Sequence, residues 1–318
     1  MIRLIVLFLF LGQLFSQKIL IPMDQNQSDH LKAYGIAFWT LKKGQEVDWL
    51  LNYRGGSFMI NFNSTLEKEL VIRGIYYEPI NASILTNIFA QIEENNMDMV
   101  LLEKLPKIAV YSPPGKQPWD DAVTLALTYA EIDYDVIFDE EILTNKLDDY
   151  DWLHLHHEDF TGQYGKFYKN YHNANWYKSM EIQFNATAQK FGFSSVHNLK
   201  KNIAAKIKSY IENGGFLFAM CSATDSFDIA LATINVDVAS VVYDGTPIDP
   251  NYQNKIDFSN SIAFENYNLY TNPMTYEYST IDIPPSHRPI TKGAEADYFS
   301  LFEFSAKWDP VPTMLTQN

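Results

Sequence analysis

Cysteine is almost missing from this chain: Cys221 is the only one in 318 residues. That excludes an internal disulfide and a cysteine-rich metal framework, and leaves one thiol to be either packed away or put to use. Basic residues are also scarce, 24 Lys and Arg against 39 Asp and Glu, giving a formal net charge of −15. Recognition of phosphate needs clustered cations, so nucleic acid and anionic membrane surfaces are excluded as partners. Long hydrophobic runs are lacking as well. The apolar stretch at residues 4–11 falls well short of the ~20 residues that a bilayer-spanning helix requires, and nothing later exceeds it, so no stable membrane insertion is expected. With Arg3 ahead of it and a polar segment from Gln13 to Gln17 behind it, that stretch reads as a cleavable secretory signal over residues 1–16. The mature protein is therefore expected in the periplasm or outside the cell.

What is present is an ordinary core-forming composition, 47% hydrophobic, ordered as alternating strands and helices. Residues 18–23 (KILIPM) read as a buried parallel strand. A helix follows, with Leu31, Tyr34, Gly35, Phe38 and Leu41 along one face, then a strand at 46–53 ending in the tight loop Arg54-Gly55-Gly56-Ser57. Helices are expected near 66–74 and 81–95 and a strand at 97–102. From residue 107 the alternation resumes, with strands at 108–111, 134–138, 151–156 and 216–220 and helices at 120–132 and 198–213. Crossovers longer than hairpins build parallel sheets. The fold class is thus α/β: a doubly wound, mostly parallel, flavodoxin-like sheet with helices on both faces. The division is an N-terminal α/β unit over 17–105 and a main domain over 106–318. Two insertions interrupt the latter. Residues 160–194 are crowded with aromatics, Trp176 among them, which either pack the insertion down or offer a stacking surface for a sugar.

Three residue groups carry chemistry. In Ala219-Met220-Cys221-Ser222-Ala223 a strand ends, a cysteine follows, and a helix is due to start. Small residues two positions either side of Cys221 give the spacing of a nucleophile elbow. The helix would aim backbone N–H groups, that of Ser222 first, at a thiolate and at an oxyanion. The second group is His154-Leu155-His156-His157-Glu158-Asp159 at the end of a strand. His156, His157 and Glu158 are candidates for acid–base work, and Asp159 for holding substrate. The same imidazoles and carboxylate could bind zinc or simply finish the strand with hydrogen bonds; no further ligand spacing is visible, and no metal or cofactor is assigned. Third, Arg54 beside two glycines is placed as a carboxylate or phosphate ligand.

The elbow and the order of elements over 106–318 resemble the class I glutamine amidotransferase-like superfamily, with alanines where its usual Gly-x-Cys-x-Gly has glycines. His287-Arg288-Pro289-Ile290-Thr291-Lys292-Gly293 looks like the corresponding segment of its trehalose-utilisation-like branch. That resemblance implies a Cys-dependent hydrolase or amidotransferase-like activity on a small amide, ester or glycan-derived substrate. It also implies a partner base after the nucleophile helix. His287 is the only later histidine, and a strand that begins near residue 311 is read as cut short, so whether the partner is at hand or lies beyond residue 318 stays open. The opening, KILIPMDQNQSDHLKAYGIAFW and EVDWLLNYRGGSF, is similar to exported Bacteroidota proteins often labelled asparagine synthetase B. Enzymes of that name use an N-terminal cysteine and a nucleotide loop, and this chain has neither, so the label carries no mechanism. The competing class is a non-catalytic glycan- or partner-binding module of the cell envelope.

Overall fold

The computed structural model describes residues 18–114 and 122–282. The signal segment, part of the turn before residue 122, His287 and its neighbours, and the strand expected near 311 lie outside the described residues.

The first unit runs β1 (Lys18–Ile21), α1 (His30–Lys42), β2 (Val47–Leu51), β3 (Ser57–Asn61), α2 (Ser64–Arg73), β4 (Glu78–Ile80), α3 (Ala82–Glu94) and β5 (Asp98–Leu102). Its sheet has the order β4-β1-β3-β2-β5, and every neighbouring pair is antiparallel. Two β-α-β crossovers interleave, each with a strand of the other between its own two, which is the split βαβ arrangement. This corrects the expectation of a parallel sheet from the start of the mature chain. The misleading signal has a physical cause. Ile19 and Ile21 pack under Ile36, Ala37, Leu66 and Leu70 of α1 and α2, while Leu20 joins Met59 under Ile88 and Ile92 of α3. A strand buried on both faces is apolar throughout, whichever way its neighbours run.

The loop at Arg54 is correspondingly a hairpin between β2 and β3 and does not lead into a helix. Gly55 is required there twice over. Its φ is 82°, and a Cβ on it would come within 2.4 Å of the Met23 carbonyl oxygen.

The second unit contains β6 (Ile108–Tyr111), α4 (Ala122–Ala130), β7 (Asp135–Ile137), α5 (Asp139–Leu143), β8 (Trp152–Leu155), α6 (Tyr168–Tyr171), α7 (Asn175–Lys190), α8 (Val196–Glu212), β9 (Phe216–Ala219), α9 (Ser222–Ala232) and α10 (Val241–Asp244). Here all pairs are parallel, in the order β7-β6-β8-β9. Successive strand residues face opposite sides. Ala109, Tyr111, Leu153 and Leu155 enter the larger core with Ile203 and Ile207 of α8 and Phe227 of α9. Ile108 and Val110 turn the other way, onto Leu127 of α4 and Phe38 of α1.

Helix α1 therefore serves both sheets, with Ala33, Ile36 and Ala37 toward the first and Phe38 toward the second. The stripe read from the sequence holds in part for this reason: Gly35 and Phe38 are buried, Leu31 and Tyr34 are exposed, and Ala33, Ile36 and Ala37, outside the stripe, are buried as well. Where α1 crosses α4 the backbones meet so closely that a Cβ on Gly35 would lie 1.8 Å from the Ala130 carbonyl oxygen. Lys32 and Arg73 both reach Glu131 across this contact, at 3.0 and 2.9 Å.

Strand β9 departs from its sequence reading as well. It was expected to be buried, yet Phe216 and Phe218 are 58% and 44% exposed. It is the edge strand of the described sheet, and the cover given by α1 and α4 stops short of it. The aromatic insertion folds back onto the core through Phe160, Tyr164, Tyr177 and Phe184. Residues 267–282 form a strap over α9, closed by a bridge between Leu269 and Ser279 and packed through Tyr267, Leu269 and Tyr278 on Ile229 and Ala232.

Candidate functional site

Strand β9 continues its pairing one residue past its end, with Met220 N–H donating to the Leu155 carbonyl at 3.0 Å. The chain then turns sharply at Cys221, with φ 52° and ψ −139°, and α9 begins at Ser222. That region of backbone space is nearly reserved for glycine, and a side chain held there costs ~1–3 kcal/mol that the surrounding structure must offset. The holding bonds are visible. Ala223 N–H donates to the carbonyls of Met220 and His156, both at 3.2 Å, and the Thr224 hydroxyl donates to the Cys221 carbonyl at 2.7 Å. Ala223 is fully buried, so a larger side chain would not fit beneath the turn. The Cys221 side chain is exposed, and among the described residues no acceptor takes the Ser222 N–H.

The tip of β8 is stitched to the first turn of α9. The Ser222 hydroxyl donates to the His157 carbonyl at 3.1 Å, and the Ser226 hydroxyl to the Glu158 carbonyl at 2.9 Å. Glu158 Oε2 accepts the His156 N–H at 2.8 Å, which tightens the turn, and the rings of His156 and His157 stack with centroids 3.6 Å apart. His154 is buried instead, its ring stacked at 5.6 Å on Phe218, its neighbour across β8 and β9. The structure thus brings Cys221, Ser222, His156, His157 and Glu158 together at the carboxyl ends of two adjacent parallel strands, where open α/β sheets bind ligands. Among the described residues no three His, Cys, Asp or Glu side chains are grouped so as to hold a metal ion.

Three expected site residues are employed elsewhere. Asp159 accepts from the Thr161 N–H and hydroxyl at 2.7 and 2.6 Å and from the Gly165 N–H at 3.0 Å, so both its oxygens organise the loop that follows β8. Arg54, on the β2–β3 hairpin of the first unit, binds Asp24 at 2.6 Å and Glu78 at 2.9 Å. Its hydrogen bond to Glu78 is the leading reason its pKa is raised, and its carboxylate partners come from its own chain. Trp176 packs edge-on against Phe167 and Tyr177 and tilted against Tyr171. For the aromatic insertion, packing is the role the structure shows.

Two buried acids on α9 were not found from the sequence. Asp228 accepts the N–H groups of Ile262, Ala263 and Phe264 at 2.7–2.9 Å, which fixes the chain ahead of the strap. Asp225, in the first turn, is 3% exposed, and its Oδ2 has no hydrogen-bond partner among the described residues. The available signal was two aspartates inside an otherwise small and apolar helix, SATDSFDIALA. Beneath the site, Lys200 is wholly enclosed, donating to the Tyr111 hydroxyl at 2.9 Å and to Asp139 at 2.8 Å under the faces of Phe138 and Phe184. Comparison of the chain with protein families, with curated proteins and with solved structures finds no match.

Proposed function

We propose that this is an exported, Cys-dependent hydrolase or acyl transferase of the class I glutamine amidotransferase-like type, acting on a small amide, ester or glycan-derived substrate. The observation that carries this reading is the backbone of Cys221: an exposed thiol on a strained strand-to-helix turn, with an uncommitted N–H one residue on. The β7-β6-β8-β9 order supports a doubly wound, flavodoxin-like domain, since it matches the first four strands of that arrangement.

In the reaction, the Cys221 thiolate attacks the substrate carbonyl carbon, and the carbonyl electron pair moves onto oxygen. The Ser222 N–H and the N-terminus of α9 receive that charge. Collapse breaks the bond to the amine or alkoxide, which takes its proton from an imidazolium at the β8 tip, His156 or His157. The same imidazole, now neutral, removes a proton from water as it attacks the thioester. Collapse of this second adduct releases the acid and restores the Cys221 thiolate beside the imidazolium, the state from which the cycle began. The competing reading, a binding surface centred on Trp176, has less support because that ring is packed among other aromatics.

The test is iodoacetamide labelling at pH 7 alongside turnover of activated esters and amides. Labelling of Cys221 is expected at least ~10-fold faster than for free cysteine, with turnover abolished in Cys221→Ala. Labelling no faster than free cysteine, together with full turnover in Cys221→Ala, would overturn the proposal.

A further inference from the structure

The strap over α9 is held from beneath by one buried ionisable side chain, Lys166, and acts electrostatically on a second, Asp225. Lys166, 1% exposed, donates its ammonium to the carbonyls of Tyr270 at 2.6 Å and Asn272 at 3.4 Å. Asp225 lies under the strap's other end, where Asp282 accepts the N–H groups of Tyr278 and Ser279 at 2.8 and 3.4 Å. The groups acting on Asp225 come from every side. Asp282 belongs to the strap and Asp159 to the loop after β8. Asp225 in turn acts on the strap's phenols Tyr267 and Tyr278. Glu277 bears on Asp282, and Lys166 is the nearby cation. On its own helix, Asp228 is occupied by three backbone N–H groups.

A carboxylate oxygen that is buried, has no donor and faces further carboxylates is far more stable protonated. When the strap lifts, the same group meets water and ionises. We propose that the 267–282 strap is a proton-linked latch on α9: seating it takes up a proton on Asp225, so it grips in acid and loosens toward neutral pH.

The sign follows from linkage. Burial first, and the charge of Asp282 second, lift the Asp225 pKa from its ordinary 3.8 to about 8 in the seated state. Between those two values the lifted state has lost a proton that the seated state keeps, so opening is favoured progressively as pH rises from about 4 to about 8, and no further above that. Asp282, also raised by burial, acts in the same direction. Burial lowers the Lys166 pKa to about 8, so its opposing contribution begins only above that pH. The latch is independent of whether Cys221 is a nucleophile, because it involves only the strap and the buried side of α9.

Hydrogen exchange of the full chain, corrected for the intrinsic pH dependence of amide exchange, tests it. From pH 5 to 7.5 the opening constant of amides in 267–282 is expected to rise by up to ~10-fold per pH unit, and to rise clearly less steeply in Asp225→Asn, whose amide is neutral throughout and in which only the smaller contribution of Asp282 is left. An equal rise in the variant, or a flat wild-type profile, would overturn the latch. Should Asp225→Asn fail to fold, carbon-13 spectra of Asp-labelled wild-type protein give a second reading. One carboxyl titrating near 8 is expected, whereas all of them titrating below 5 would also overturn it.

Discussion

At the scale of single residues, Cys221 separates two quantities that usually travel together, side-chain chemistry and backbone strain. Alanine at this position keeps the strained φ of 52° and loses the thiol, while glycine loses both. Glycine also adds unfolded-state entropy, which partly cancels the relief. Cys221→Gly is therefore expected to be more stable than Cys221→Ala by about 1 kcal/mol in urea denaturation. Equal midpoints would mean that the turn is unstrained and the elbow reading unsupported. The elbow was legible because its demand falls on local sequence: strand, small residue, nucleophile, small residue, helix. The internal partners of Asp159 and Arg54 were not legible, because a polar side chain near a glycine looks the same whether it waits for a ligand or holds its own loop. Lys166 and Asp225 were invisible for a related reason. Their meaning lies in burial and in interactions with residues 267–282, over a hundred positions from Lys166, and no local pattern records that.

At the scale of elements, the four strands of the second unit and its helices α4, α8 and the start of α9 were legible to within a few residues, whereas α7, inside the aromatic insertion, and the short α5, α6 and α10 were not read. In the first unit six of the eight elements were legible too, and what was missed were β3, β4 and the antiparallel pairing. Its β3 begins one residue after Gly56, and the pattern RGGSFMIN reads equally as a loop entering a helix. Its β1 is apolar on both faces because α1 and α2 cover one side and α3 the other, and this erased the alternation that marks most antiparallel strands. The crossing of α1 and α4 offers a direct check on how the elements pack. A single methyl at Gly35 would meet the Ala130 carbonyl at 1.8 Å, backbone against helix, with no side chain able to move aside. Gly35→Ala should thus force the helices apart and lower stability by about 1–3 kcal/mol, despite the better helix propensity of alanine. Thermal denaturation checks the sign, and a stabilised variant would mean that the helices do not cross this closely.

At the scale of the whole molecule, the question is whether two sheets of different topology make two domains or one. Residue 105 was a reasonable place to divide the chain by element order, yet α1 lies between both sheets and contributes to each core. Phe38 is the residue on which this turns. It leaves the first unit's helix and packs against Ile108, Val110 and Leu127 of the second, with Trp152 alongside. Phe38→Ala should cost about 3 kcal/mol, as removal of a buried aromatic ring does. If the sheets fold as one cooperative body, the slowest-exchanging amides of β1 and of β8 will lose the same amount of protection in this variant, although Phe38 is absent from the cluster around β1. If they are separate domains, β8 will lose protection and β1 will keep it. The ion pairs of Glu131 with Lys32 and Arg73 do not decide the matter, since the Glu131 side chain is 51% exposed and such pairs contribute little. The apolar contact of Phe38 and the backbone contact at Gly35 do, and both favour a single cooperative unit in which the elbow's sheet is buttressed by a helix from the other.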